Sequence, residues 1–103
     1  AESAARILLA KGAQTVIVTL GANGALVVTP EQATHIPPFR VDVVDTTAAG
    51  DAFIGGFSAA LLRGFALEEA VRYGNACGAL AATQFGAQPS LPTAEEVNKF
   101  MKT

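Results

Sequence analysis

The sequence predicts an α/β layered fold, and three observations carry that prediction. A helix-like segment comes first, β-branched runs of strand length follow, and helical spacing takes over in the second half. Turn and stop residues separate these segments, at Gly12, Asn23-Gly24, Pro37-Pro38 and Gly64. Half of the 103 residues are hydrophobic and 16% are charged, enough apolar mass for a real core and too much for a disordered chain.

Residues 2–11 (ESAARILLAK) carry helix formers and meet a natural stop at Gly12. Residues 15–20 (TVIVTL) and 25–29 (ALVVT) are strand-length runs rich in β-branched residues. The Gly-Ala-Asn-Gly between them predicts a turn centred on Asn23-Gly24. Residues 33–44 predict a short strand, a turn at Pro37-Pro38, and an edge strand where Phe39-Arg40-Val41-Asp42-Val43 alternates apolar with charged. Residues 50–63 place Phe53, Ile54, Phe57 and Leu61 on one stripe at helical spacing, ended by Gly64. A second helix is expected over 67–83, with Glu68 and Glu69 suited to its positive end. A third is expected over 93–102, where Thr93 and Glu96 fit a capping box. No repeat, low-complexity tract or linker divides the chain, so 1–103 reads as one unit.

Composition excludes several partner classes. Net charge is -2 and the seven basic residues are scattered, so neither nucleic acid nor an anionic membrane surface is an expected partner. No apolar run reaches the roughly 20 residues that span a bilayer. Cys77 is the only cysteine, which removes internal disulfides and cysteine-based metal sites and suits the reducing cytoplasm. The sequence starts at Ala1 inside a helix-like pattern with no visible signal peptide, as expected of a fragment whose missing part lies upstream.

The chemistry concentrates in Asp45-Thr46-Thr47-Ala48-Ala49-Gly50-Asp51. A strand ends near Val44, small residues turn the chain, and a helix opens at about Gly50. Amides at a helix start lack internal partners, and the macrodipole adds roughly half a positive charge there. Small side chains at Ala48, Ala49 and Gly50 let an anion reach those amides, which suits the charge that builds on a transferring phosphoryl group. A carboxylate beside such a site is a fitting proton acceptor for an alcohol nucleophile. The alternative for Asp51 is an acid that only offsets the dipole, an effect of about 0.3–1 kcal/mol. Gly55 and Gly56 in the first of these helices, with Gly74, Ala76, Gly78, Ala81 and Ala82 in the second, suit either close helix packing or close approach to a ligand.

This run resembles the carboxyl-terminal signature of the ribokinase, or PfkB-type carbohydrate kinase, family. Thr19-Leu20-Gly21-Ala22-Asn23-Gly24 is similar to that family's ATP-contacting segment. Gly86-Ala87-Gln88-Pro89-Ser90 is similar to a segment that marks ribokinases among their relatives. Ala48 departs from the glycine of many members, in the direction ribokinases often take. The resemblance covers essentially the whole chain and implies the carboxyl-terminal, nucleotide-binding part of a three-layer α/β/α fold.

The resemblance also implies roles. Asp51 is the catalytic base that meets the substrate hydroxyl, and the amides from Ala48 through Ala49 and Gly50 to Asp51 form the anion hole. Thr19, Leu20, Gly21, Ala22, Asn23 and Gly24, with Gly50 and Asn75, meet ATP. Asp45 and Thr47, backbone oxygens near Ala81, Gln84 and Gly86, and the Ser90 side chain form a potassium site. Magnesium arrives with ATP. The implied reaction is phosphorylation of D-ribose at its 5-hydroxyl, by a parent enzyme that pairs as a homodimer through the missing half. Fructose phosphate, a nucleoside or another small alcohol is the alternative acceptor. A non-catalytic nucleotide-binding module is a further reading, because a fragment without its sugar half is not expected to turn over efficiently. Residue by residue, plainer roles stand beside these: a hairpin turn for Asn23-Gly24, a satisfied polar group for Asn75, a turn stabiliser for Asp45, a loop residue for Ser90. His35 is expected to have no catalytic role, and Cys77 to pack in the core.

Overall fold

The computed structural model describes residues 2–83 and 92–102. Helix α1 (Glu2–Ala10) leads into strand β1 (Val16–Thr19), a 3₁₀ turn (Gly21–Asn23), β2 (Ala25–Val28) and β3 (Ala33–Ile36). Helices α2 (Ala49–Leu62), α3 (Leu67–Ala82) and α4 (Ala94–Met101) follow. The three strands form one antiparallel sheet in the order β1-β2-β3, with Val18 opposite Leu26 and Leu26 opposite His35.

Side chains alternate across a strand, so β2 serves two layers. Ala25 and Val27 pack with Ile36 against Phe53 of α2 and Val71 of α3. Val28, fully buried, faces the other way, and α1 packs along β1 and β2. Arg6 of α1 donates to the Thr29 carbonyl at 2.8 Å, fixing that helix to the end of β2. The order is therefore α1, sheet, then α2 with α3, the layering expected from the sequence.

Two sequence expectations are corrected. Residues 39–43 are not a strand. Pro37 and Pro38 bring no backbone donor, and the amides of Val44 and Asp45 both donate to the Ala82 carbonyl, at 2.7 and 3.1 Å. The segment is thus tied to the end of a helix rather than to a sheet edge. The stripe assigned to α2 also divides. Phe53 is buried and Phe57 half-buried, but Ile54 is 62% exposed and Leu61 41% exposed. The face buried against α3 is instead the small one, Ala52, Gly56 and Ala60, spaced four residues apart.

That spacing lets α2 and α3 nearly touch. A Cβ on Gly56 would overlap Cys77 Sγ. One on Gly74 would lie 2.9–3.1 Å from the ring and carbonyl oxygen of Phe53, and one on Gly78 3.2 Å from the carbonyl oxygen of Ala49. At all three glycines the close approach serves helix packing. Gly64, at φ 89°, closes α2 with the Phe65 amide on the Ala60 carbonyl (3.0 Å) and its own on Leu61 (3.0 Å), a Schellman arrangement. Helix α4 opens with the expected reciprocal cap. Glu96 N donates to Thr93 Oγ1 at 3.1 Å and Thr93 N to Glu96 Oε1 at 2.9 Å, and these hydrogen bonds to Thr93 hold the Glu96 carboxyl below its usual range. Val97 then seals α4 onto the helical core, and Phe100 meets Phe39 at 5.2 Å.

Cys77 sits in this core as expected, and burial pushes its thiol from 9.0 up to about 11. Folding favours the protonated thiol, so its contribution to stability is complete below pH 9 and is lost as pH rises through about 11. Denaturant unfolding across that window is expected to show a loss on the order of 2 kcal/mol in the wild type beyond that in Cys77→Ala. Parallel pH profiles for the two proteins would contradict this.

Candidate functional site

Between the β1–β2 turn and the opening of α2 lies a cavity of about 370 Å³. Thr19, Gly21, Ala22 and Gly24 line one side, and Thr46, Ala49 and Gly50 another. Phe39, Val41 and Val43 give an apolar wall, and α3 contributes Asn75, Gly78, Ala79 and Ala82. Six of the eight residues expected at the nucleotide therefore share one cavity: Thr19, Gly21, Ala22, Gly24, Gly50 and Asn75. Leu20 and Asn23 do not line it. Its volume and mostly apolar walls with convergent polar groups are those of a small-molecule site.

The turn is closed by its own backbone. Leu20 N donates to Gly24 O at 2.8 Å, Asn23 N to Leu20 O at 3.0 Å, and Gly24 N to Gly21 O at 3.2 Å. The Asn-Gly pair suggested a turn centred on those two residues. The structure instead puts positive φ at Gly21 (57°) and Gly24 (89°), with a 3₁₀ turn ending at Asn23. Gly24 has a second constraint: a Cβ would overlap the Ile36 carbonyl oxygen and lie 2.9 Å from Pro38 N. The chain leaving β3 passes directly over it. Asn75 holds that same stretch, its Nδ2 donating to the carbonyls of Pro37 at 3.0 Å and Ile36 at 3.3 Å. Asn75 thus lines the cavity and braces its wall, a satisfied polar group as its sequence position allowed.

The start of α2 differs from the other helix starts. Ala66 N is met by Glu69 Oε1 before α3 (3.3 Å), and Thr93 with Glu96 closes α4. Before α2 stands Ala48, which has no side chain to cap with. The Ala49 amide donates to Thr46 O at 3.1 Å, which takes it out of the set of free donors expected from Ala48 to Asp51. Among the described residues nothing accepts from the amides of Gly50 and Asp51. Gly50 is exposed, lines the cavity, and has open space where a Cβ would be. An approaching anion would meet two free donors, a positive helix end and no side chain.

Asp51 lies on the other side of that helix end. Its side chain is exposed and borders a second groove of about 330 Å³, with Ala52, Gly55 and Tyr73 among its neighbours. The cavity and the groove are thus separated by little more than the first turn of α2, with Gly50 lining one and Asp51 the other.

The residues expected at a potassium site are only partly described. Asp45 Oδ1 accepts from Thr47 N at 2.8 Å and from Thr47 Oγ1, so the two act as one turn. That turn hangs from Ala82 at the carboxyl end of α3, beside Ala81. Gln84, Gly86 and Ser90 lie outside the described residues, as does the Gly86–Ser90 segment as a whole. Gly78, which the small-residue pattern of α3 already marked for close approach, admits the Ala49 carbonyl and so sets where α2 begins. Sequence reasoning passed over one feature of the site. Arg40 lines the cavity, but its place in a presumed edge strand concealed this.

Known proteins resemble this chain in sequence and fold. The description pfkB family carbohydrate kinase matches residues 1–94. A ribokinase of Haemophilus influenzae is 44% identical over 102 residues, 99% of this chain and 33% of its own length. The crystal structure of a ribokinase from Thermotoga maritima superposes with a TM-score of 0.96 at 48% identity, covering 99% of this chain and 34% of that one. That of an aminoimidazole riboside kinase from Salmonella enterica, complexed with aminoimidazole riboside and an ATP analogue, gives 0.91 at 45% identity, over 99% and 36%. The chain spans about a third of the length of the curated relatives it matches.

The two glycines of the turn separate conformation from space. Gly24→Ala incurs both a disfavoured backbone and an overlap with Ile36 O, and is expected to cost about 3 kcal/mol. Gly21→Ala meets nothing within 4 Å and is expected to cost only the left-handed term, about 1 kcal/mol. Denaturant midpoints of the two variants would check the ordering, and equal costs would refute it.

Proposed function

This chain belongs to the pfkB family of carbohydrate kinases, and on that premise we propose that the protein it forms part of transfers the γ-phosphoryl group of ATP to a sugar hydroxyl. The acceptor is D-ribose at its 5-hydroxyl and the product ribose 5-phosphate. The observation that carries the reading is the uncapped start of α2, where the free amides of Gly50 and Asp51 stand between a nucleotide-sized cavity and the Asp51 carboxylate.

In this mechanism the turn of Thr19 to Gly24 and the apolar wall of Phe39, Val41 and Val43 hold the adenosine, and α3 closes the cavity through Asn75. The triphosphate points at the mouth of α2. The acceptor approaches from the groove side, where Asp51 accepts its proton as the new O–P bond forms. The bond from the γ-phosphorus to the bridging oxygen breaks and ADP leaves. Charge on the equatorial phosphoryl oxygens is met by the amides of Gly50 and Asp51, already aligned and close to the helix dipole. Magnesium bound with ATP supplies neutralisation of phosphate charge.

We further assign the Asp45–Thr47 turn to a potassium site that steadies the same loop. A carboxylate beside a helix carboxyl end, where carbonyls carry partial negative charge, is a suitable place for a monovalent cation. Ribose is favoured by the similarity to ribokinases, those of Haemophilus influenzae and Thermotoga maritima among them. A riboside acceptor is the second reading, favoured by 45% identity to a kinase that binds aminoimidazole riboside. We place the protein in the cytoplasm, as a homodimer formed through the portion outside this chain.

In the complete protein, Asp51→Asn is expected to bind an ATP analogue within about twofold of wild type and to lose about 10²- to 10⁴-fold in kcat. Near-normal turnover in that variant would remove Asp51 as the base. Potassium is expected to raise kcat/KM above the value in sodium at equal ionic strength, and Asp45→Ala to abolish the difference. An ion-independent wild type would remove the cation site.

A further inference from the structure

We infer that His35, although outside the cavity, positions the nucleotide turn by fixing the peptide between Asn23 and Gly24. His35 lies on β3 opposite Leu26, two residues beyond Gly24 along the partner strand. Its Nε2 is 2.6 Å from the Asn23 carbonyl oxygen. A carbonyl only accepts, so Nε2 carries the hydrogen and donates.

The physical consequence follows from peptide planarity. Carbonyl and N–H of one peptide point to opposite sides. With the Asn23 carbonyl held outward by His35, the Gly24 N–H is directed inward to Gly21 O, at 3.2 Å. The same peptide is the one most able to flip, because Gly24 has no side chain to oppose rotation and sits at φ 89°. A flip would withdraw the Gly24 N–H from Gly21 and turn the Asn23 carbonyl toward the cavity side. That places an acceptor where a nucleotide needs none. Asn23 does not line the cavity, while Gly21, Ala22 and Gly24 do. His35 therefore acts from behind the turn on the backbone that faces the ligand. It is a positioning residue, and the inference rests on reading this cavity as the nucleotide site.

The test uses the complete protein with His35→Ala, and with His35→Gln, whose amide nitrogen can reach the place of Nε2. Hydrogen exchange in the segment 20–24 is expected to quicken about fivefold in the alanine variant, the effect of one hydrogen bond. The dissociation constant of a non-hydrolysable ATP analogue is expected to rise by a similar factor, with the acceptor KM and kcat at saturating ATP unchanged. Glutamine is expected to restore both. Unaltered exchange and affinity in His35→Ala, or losses spread evenly over the protein, would overturn the inference. A wild type that binds the analogue but phosphorylates no sugar would sink the kinase reading and leave the His35 measurements intact. A wild type that binds no nucleotide would sink both.

Discussion

The near contact of α2 with α3 is the constraint on which the rest of the structure depends. Three glycines make it. Gly56 leaves room for Cys77, Gly74 for the Phe53 ring, and Gly78 for the Ala49 carbonyl. The third matters most for the site, because Ala49 begins α2 and its neighbours carry the free amides. Moving α2 outward by the width of one methyl group would shift those amides and the Asp51 carboxylate together. It would also withdraw Phe53 from Val27 and Val71, uncoupling the helices from the sheet. Packing at this density transmits such shifts rather than absorbing them.

Capping completes the argument. The protein satisfies the donors of α3 and α4 with its own carboxylates and hydroxyl, and leaves those of α2 without a side-chain partner. Orphan donors at a helix start have a free-energy cost unless water or a ligand meets them. Here they open on a cavity whose other walls are supplied by a hairpin turn and by the segment leaving β3. That segment is secured twice, by Asn75 at Ile36 and Pro37 and by the Ala82 carbonyl at Val44 and Asp45. A stretch without regular hydrogen bonding of its own is thereby anchored at both ends.

The elements were legible in the sequence where one local rule dominated. Helices α1, α3 and α4 followed from helix formers, charges matched to the helix dipole, and stop and cap residues, β1 and β2 from β-branched runs around a turn, and the opening of α2 from small residues at the end of an extended run. Errors arose where tertiary contacts decided the outcome. The alternation of Phe39 to Val43 looked like an edge strand because periodicity cannot reveal that the next donors are bound to Ala82. Ile54 and Leu61 looked like core because apolar character does not tell which face a neighbour occupies. The glycines could be seen to permit close approach, but not what would approach. Placement of Asp51 at a helix mouth came from the residues, whereas naming its reaction needed the family resemblance. His35 gave no local signal, since its role depends on strand register bringing it to the Asn23 carbonyl.

The floor of the cavity is main chain at Gly50 and around the Gly21–Gly24 turn, and main chain is shared by every amino acid. Substitution cannot delete an amide unless it introduces proline, and at Gly50 there is open space for a side chain, whereas Gly24 has none. Such a surface resists evolutionary drift. Selectivity that resides in side chains elsewhere can diversify over such a floor without disturbing it.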